Sequence, residues 1–279
     1  MIKNLLHNKT GIIGALILFS VCFMAIFANV IAPHDPYEQD IMKKLLNPVW
    51  TYKSNPDFLL GTDQLGRDIL SRIIYGSRVT LLVAFTGTIA AGIVGVFLGC
   101  ISGYFGGWID AVIMRIADIQ LSFPFILLAL FIAAVLGPGL ENIILISVLC
   151  FWVQYARLVR GEILSIREME YIEALRALGI GHFKIIFRHI LPNLLNVVIV
   201  LGTLEMARII LMEAALSFLG LGVPIEVPTW GRMLAESRVN MVSYPWHAIL
   251  PGALITFTVL GVNLIGDWLR DYLDPNSED

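Results

Sequence analysis

Long uncharged runs of apolar residues recur along the chain, and they are the strongest pattern in its sequence. A run of about 20 residues is long enough for a helix to cross the hydrocarbon core of a bilayer. Six segments reach or approach that length: Thr10–Pro33, Val79–Ile109, Ile119–Leu140, Asn142–Val159, Leu191–Leu221 and Val239–Gly266. The pattern therefore predicts an all-α membrane protein with six transmembrane helices.

Two of these six segments are less uniform than the others. The apolar part of Asn142–Ala156 is short, and Arg157 must snorkel for the helix to continue. The fifth segment carries three charged residues, which are Glu205, Arg208 and Glu213. The first segment has an alternative interpretation as a signal peptide, because Lys3 and Lys9 precede it. It is longer than a normal signal core and ends without a small-residue cleavage site, so we interpret it as a retained helix.

Composition and charge agree with a membrane class. Hydrophobic residues make up 57% of the 279 residues, charged residues 15%, and the mean hydropathy is +0.79. The net charge of −3 gives no indication of a nucleic-acid partner. Cys22, Cys100 and Cys150 are far apart in apolar stretches, so we interpret them as buried small side chains and expect no metal site.

Polar segments divide the apolar runs. A loop of roughly 45 residues with four prolines follows the first span, which favours a structured or draped loop over a helix. Six spans put both termini on one side of the membrane. That side then carries ten Lys and Arg residues against eight on the other, a weak bias that agrees with cytoplasmic termini.

The second span contains a ladder of small residues at every fourth position: Gly87, Ala91, Gly95, Gly99, Gly103 and Gly107. This spacing lets another backbone approach one face of the helix closely. The neighbour is either a helix of the same chain or a pore or subunit seam, and the sequence leaves both alternatives open.

The most charged connection, between Arg157 and His189, contains two short amphipathic patterns. Apolar residues recur at helical spacing in two sets, the first of Tyr171, Ala174, Leu175 and Leu178, the second of Phe183, Ile186, Phe187 and Ile190. Gly179 and Gly181 separate the sets, where a helix ends and turns. This predicts a helix–turn–helix outside the lipid, whose apolar face packs on a partner or on its own chain.

The same connection carries a spaced set of residues: Glu173, Ala174, Leu175, Gly179, Leu191 and Pro192. It resembles the EAA motif of binding-protein-dependent ATP-binding cassette (ABC) importer permeases, E-A-A, three residues, G, nine residues, I-x-L-P. The chain departs from that motif at Leu175, where the family usually has Ala, and at His189, where it usually has Ile.

Further stretches are similar to the dipeptide, oligopeptide and nickel permease group. They are LGTDQLGRD from Leu60, ALSFLGLG from Ala215, PTWG from Pro228 and NLIGD from Asn263. The similarity covers nearly the whole chain and is closest to the second permease of such systems. It implies an N-terminal helix with an extracytoplasmic loop over 1–77, a five-span core over 78–273 with a cytoplasmic coupling loop at about 160–192, and a short tail over 274–279.

The resemblance implies a type I ABC importer permease (MetI-like) fold in a bacterial inner membrane. It also implies four kinds of partner: a second permease, two ATP-binding subunits, an extracytoplasmic substrate-binding protein and membrane lipid. ATPase coupling is then expected at Glu173, Ala174, Leu175, Leu178, Gly179 and Pro192. ATP and Mg are expected on the ATP-binding subunits, with no cofactor in this chain.

The three charged residues of the fifth span have two interpretations. Ionisable groups within a span are costly and face a protein interior or a wet cavity. Glu205 and Arg208 are three residues apart and can pair, while Glu213 lies about two turns further along. They either line the translocation path or form a structural pair or an interface with the second permease.

The sequence disfavours two other function classes. The sequence contains no phosphate-binding G-x-x-x-x-G-K-[ST], H-E-x-x-H or nucleophile-elbow motif, so we expect a transport subunit without catalytic residues rather than an enzyme. A stand-alone secondary transporter is disfavoured because the spans show no evident inverted repeat. Peptides are the expected substrate, with nickel, metal chelates or glutathione as alternatives.

Overall fold

The structure, a computed structural model, describes residues 8–52 and 54–273. The first seven residues, Lys53 and the whole expected tail over 274–279 lie outside the described residues. Nearly all regular structure is helical. The α-helices are α1 (Lys9–Ile26), α2 (Ala28–Ile31), α3 (Ile69–Phe105), α4 (Gly107–Leu121), α5 (Phe125–Leu136), α6 (Leu140–Ile166), α7 (Glu170–Ala177), α8 (His182–Ile185), α9 (Leu191–Phe218), α10 (Trp230–Ser237) and α11 (Trp246–Leu273).

The described helices are long and apolar enough for five membrane spans, or six if the bent pair α4 and α5 counts as one. The all-helical membrane fold is therefore confirmed. The span expected over Ile119–Leu140 is not one continuous helix, because the chain bends by 92° between α4 and α5. Pro124 follows the bend, and proline disfavours the helical conformation of the residue before it. The segment is uncharged there, so its hydrophobicity gave no sign of the bend.

Two expected span boundaries shift for local reasons. Helix α3 begins at Ile69 rather than Val79, since the Asp68 carboxylate caps it by accepting a 2.8 Å hydrogen bond from the Ser71 N–H. The expected division between residues 77 and 78 falls inside this helix. Helix α11 begins at Trp246 rather than Val239, after a series of turns.

The small-residue ladder of α3 packs against α6 of the same chain. A Cβ atom at Gly95 would lie 2.4 Å from the Trp152 carbonyl oxygen, and one at Gly99 would lie 2.6 Å from that of Ala156. The two backbones touch at these positions, so the alternative of a subunit seam is wrong for them. Gly107 lies beyond the end of α3 and takes no part in the contact.

The loop between α2 and α3 is structured by the LGTDQLGRD stretch. Gly61 and Gly66 both have φ of +77°, and a Cβ at Gly66 would lie 1.9 Å from the Asp40 carbonyl oxygen. Only glycine fits such a conformation and approach. The predicted structured loop is thereby confirmed.

A buried ion cluster anchors this loop to α10. The Asp63 carboxylate pairs with both Arg67 and Arg72, and the Glu236 carboxylate on α10 pairs with the same two arginines. All four side chains are almost fully enclosed, so each charge depends on its partners for compensation. Trp230, at the start of α10, donates a 3.0 Å hydrogen bond to the Ile73 carbonyl oxygen of α3.

The long helices leave large apolar side chains exposed on their outer faces, as Phe19, Ile93 and Phe131 show. Such surfaces need lipid or another protein chain around them. Helix α3 has 37 residues, and at about 1.5 Å per residue it exceeds the roughly 30 Å of hydrocarbon. It therefore connects the loop and α10 at one end to the charged connection at the other.

Candidate functional site

The candidate site is the connection from Arg167 to Pro192, and α7 is its central element. Glu170 and Glu173 lie in the first turn of α7 and Arg176 in the last, an arrangement that matches the helix dipole. Ile172 points inward and is fully buried, while Leu175 packs on the same apolar cluster. The inner face of α7 is therefore fixed to its own chain.

The outer face of α7 is apolar and open. Tyr171, Ala174 and Leu178 are exposed, Leu178 with 77% of its surface accessible. The prediction that Leu175 shares one face with these three residues is wrong, since Leu175 packs inward beside Ile172. The periodicity alone did not decide which side of the helix the chain itself covers.

The turn after α7 is a Schellman motif. The Ile180 N–H donates to the Leu175 carbonyl at 3.1 Å, and the Gly179 N–H donates to that of Arg176 at 3.0 Å. Gly179 has φ of +74°, so the predicted turn at this glycine is confirmed. Leu175 and Ile180 pack on the same cluster, which fixes the direction of the chain as it leaves α7.

The second amphipathic set also divides between two environments. Ile186 and Ile190 are buried, whereas Phe183 and Phe187 are exposed. A π-helical segment, Ile186–Ile190, joins α8 directly to α9, and Pro192 lies at the first residues of α9. Pro192 thus marks the entry to the next span.

The connection is tied to the end of α3 by Tyr104. Its hydroxyl group forms a 3.0 Å hydrogen bond with His182 Nδ1, and the Arg176 guanidinium lies over its ring at 5.1 Å from the centroid. Arg167 also donates a 3.0 Å hydrogen bond to the Gly103 carbonyl. No sequence pattern singles out Tyr104, because 78 residues separate it from His182 and no local pattern marks the contact.

An ion pair connects two of the helices that precede the connection. Arg160 of α6 makes a two-point contact with the Asp110 carboxylate of α4, at 2.5 and 2.6 Å. Asp110 also accepts a hydrogen bond from Ser102 of α3. The Asp110 carboxylate therefore joins α3, α4 and α6.

The three charged residues of α9 lie in different surroundings. Glu205 is 1% exposed and pairs with Arg208 at 3.0 Å, while the Arg208 side chain is 57% exposed. Glu213 is also buried, and its carboxylate accepts a 2.7 Å hydrogen bond from Ser217. Their own chain encloses both carboxylates, and only the arginine reaches the surface.

The sequence of the chain matches two protein-family models. Residues 95–278 match the model of the binding-protein-dependent transport system inner membrane component, and residues 1–48 match the N-terminal transmembrane domain of oligopeptide transport permease C.

Three curated relatives cover nearly the whole chain. The dipeptide transport system permease protein DppC of Alkalihalophilus pseudofirmus is 45% identical over 98% of this chain and 88% of its own length. The di/tripeptide transport system permease protein DppC of Pseudomonas aeruginosa is 41% identical over 98% and 90%. The glutathione transport system permease protein GsiD of Pectobacterium atrosepticum is 36% identical over 98% and 89%.

Both the family model and the relatives match in the regions that form the spans and the connection. The predicted resemblance and the type I importer permease fold are confirmed. The chain belongs to the family of binding-protein-dependent transport system inner membrane components, and it is a membrane-integral permease subunit of an ABC importer rather than an enzyme.

Proposed function

We propose that this chain forms, with a second homologous permease, the translocation path for di- and oligopeptides. A substrate-binding protein delivers the peptide on the extracytoplasmic side, and two ATP-binding subunits supply the energy. The peptide substrate is supported by the names of the dipeptide and di/tripeptide permeases, which share more than two fifths of their residues with this chain.

The exposed outer face of α7 is the observation that carries the coupling part of this proposal. Tyr171, Ala174 and Leu178 form an exposed apolar surface on α7, which is not among the candidate membrane spans. An uncovered apolar patch of this kind is typical of a protein interface. We assign this surface to contact with an ATP-binding subunit, and Glu173 and Gly179 to its orientation.

Contact between α7 and an ATP-binding subunit implies one orientation of the chain in the membrane. ATP-binding subunits are cytoplasmic, so α7 and both termini face the cytoplasm of a bacterial cell, and the loop between α2 and α3 faces outward. ATP and Mg bind to the ATP-binding subunits, and this chain holds no cofactor. Closure of those subunits on ATP would bias the permease pair between inward-facing and outward-facing states.

The α9 charges belong to the path or to the permease interface. Arg208 has one carboxylate partner and an exposed side chain, so its guanidinium is free to meet a peptide carboxylate or an acidic group of the second permease. Glu205 is then a positioning residue, because it holds Arg208 without reaching the surface.

Reconstitution of the complete complex tests the proposal. Proteoliposomes with both permeases, both ATP-binding subunits and the binding protein should take up a labelled dipeptide only with ATP. Purified alone, this chain should neither hydrolyse ATP nor transport. Robust uptake by the chain alone would indicate a secondary transporter. Uptake of glutathione or a nickel chelate in place of dipeptides would assign the complex to another substrate class of the group.

A further inference from the structure

An acidic pocket lies in the loop between α2 and α3, away from the coupling face and the α9 charges. Its volume is about 370 Å³. Five carboxylates line it, those of Asp35, Glu38, Asp40, Asp57 and Asp68. Among the described lining residues, Lys43 carries the one ammonium group, which already pairs with the Asp40 carboxylate at 3.1 Å, and His34 Nδ1 lies 3.7 Å from the Asp68 carboxylate.

Two aromatic rings of the loop belong to the lining of the pocket. The Phe58 and His34 rings stack with centroids 4.6 Å apart, and the Lys43 ammonium lies 5.8 Å from the Phe58 centroid. A ring face attracts a cation, and an aliphatic stem can lie along it. A pocket lined by carboxylates and aromatic rings is complementary to the end of a lysine or arginine side chain.

The buried carboxylate of Asp68 has one oxygen without a hydrogen-bond partner, which favours a cation in the pocket. Asp68 is 2% exposed, and its Oδ2 accepts both hydrogen bonds from Ser71. Asp68 lines the same pocket, and its Oδ1 is buried without a hydrogen-bond partner. An unpaired buried acceptor is costly, and a cation that enters the pocket would reduce that cost.

The surroundings of the pocket have the character of a protein interface. Ile41 and Met42 follow Asp40 and are 70% and 92% exposed, and Trp50 and Leu59 on the same loop are also exposed. None of them belongs to a spanning helix. Large apolar side chains beside a charged pocket, outside the lipid, mark a surface that a partner protein covers.

A small metal ion fits these observations less well. Over residues 8–52 and 54–273, no three His, Cys, Asp or Glu side chains are grouped closely enough to hold a metal ion. The pocket is also much larger than a single ion, whereas a long side chain with a charged end fills it.

We propose that the outer surface of this loop docks the substrate-binding protein, and that the acidic pocket receives a lysine or arginine side chain of that protein. This inference rests on the proposed function, because it requires a complex in which a binding protein meets this side of the chain. Attraction by the uncompensated carboxylates would also accelerate the encounter and make it sensitive to salt.

Charge reversal in the complete reconstituted complex tests the docking site. Glu38 and Asp57 are exposed, and neither carboxylate accepts a hydrogen bond within the described residues, so a Glu38→Lys/Asp57→Lys double variant should fold normally. Its affinity for the binding protein, measured in nanodiscs by biolayer interferometry, should fall by at least about tenfold and lose most of its salt dependence. The control Glu226→Lys makes one of the same charge changes in the exposed segment between α9 and α10 and should change the affinity by less than about twofold.

Crosslinking identifies the occupant. An Asp57→Cys variant, labelled with a crosslinker that joins a thiol to an amine, should be linked to a lysine of the binding protein. Links only to the second permease, or only within this chain, would overturn the proposal, as would unchanged affinity in the double variant.

Uptake measured on the same preparations separates this inference from the proposed function. If the parent complex transports dipeptides and the double variant binds the binding protein normally, the docking site is refuted and the peptide importer stands. If position 57 links to the binding protein but dipeptides are not transported, the docking site stands and the peptide substrate is refuted.

Discussion

Gly179 provides the sharpest test of the coupling connection, because its conformation and its surroundings make separate demands on a side chain. Its φ of +74° lies in the left-handed region, yet a Cβ atom there would meet nothing within 4 Å. A substitution therefore strains the backbone without a steric clash. Two residues away, Gly181 has φ of −61° and equally open surroundings, so it serves as a matched control.

The expected magnitude follows from the left-handed conformation. It costs an ordinary L-residue about 1–2 kcal/mol, and a β-branched residue pays at least that much. A loss of about 2 kcal/mol changes the ratio of the native turn to its alternatives by roughly 30-fold. Since the turn fixes the direction in which the chain leaves α7, Gly179→Val should leave the outer face poorly presented to an ATP-binding subunit.

The assay is ATP-dependent dipeptide uptake by complexes that contain each variant at equal membrane levels. Gly179→Val should reduce uptake by at least about tenfold. Gly179→Asn should retain most of it, because asparagine tolerates the left-handed region. Gly181→Val should behave as the parent does. Normal uptake by Gly179→Val, or equal losses in both valine variants, would refute the reasoning.

Three further predictions concern other parts of the chain. Ala174→Glu should insert and fold normally, because Ala174 is exposed, but should lose ATP-dependent uptake; crosslinks from position 174 that reach only this chain would contradict an ATPase contact. Gly95→Ala should lower the thermal stability and yield of the chain, since its Cβ would lie 2.4 Å from a carbonyl oxygen of α6, whereas Gly161→Ala, with open surroundings on α6, should not. The double change Glu205→Gln/Arg208→Met should assemble better than either single change, because neither charge is left unpaired; if it also transports every tested peptide at the parent rate, the pair has no part in the path.

The coupling connection shows where sequence periodicity succeeds and where it stops. The positions of α7, the turn and α8 follow from local signals, since glycine at Gly179 and the spacing of apolar residues act within a few residues. These local signals do not predict which face of α7 is buried against the rest of the chain. Ile172, which the pattern did not single out, is fully buried, and Leu178 is exposed. Packing in a cluster shared with α3, α6, α8 and α9 decided that distribution.

The ion cluster of the first loop illustrates the same limit for charged residues. The sequence contains the LGTDQLGRD stretch, whose similarity to known permeases was evident, but its role was not. Glu236 lies 164 residues from Arg72, and only the packing of α10 against the start of α3 brings the two together. Residues so far apart in sequence form no periodic pattern that would predict their contact.

By itself the sequence determined that this is a helical membrane protein with about six spans, because the length of an apolar run is set by the thickness of the bilayer. It also determined the glycine turn, because only a residue without Cβ occupies that conformation freely. The tertiary structure decided the 92° bend between α4 and α5, the packing of the glycine ladder on α6 and the face of α7 that remains open. These features depend on which helices become neighbours, and that choice is made by contacts between residues far apart in the chain.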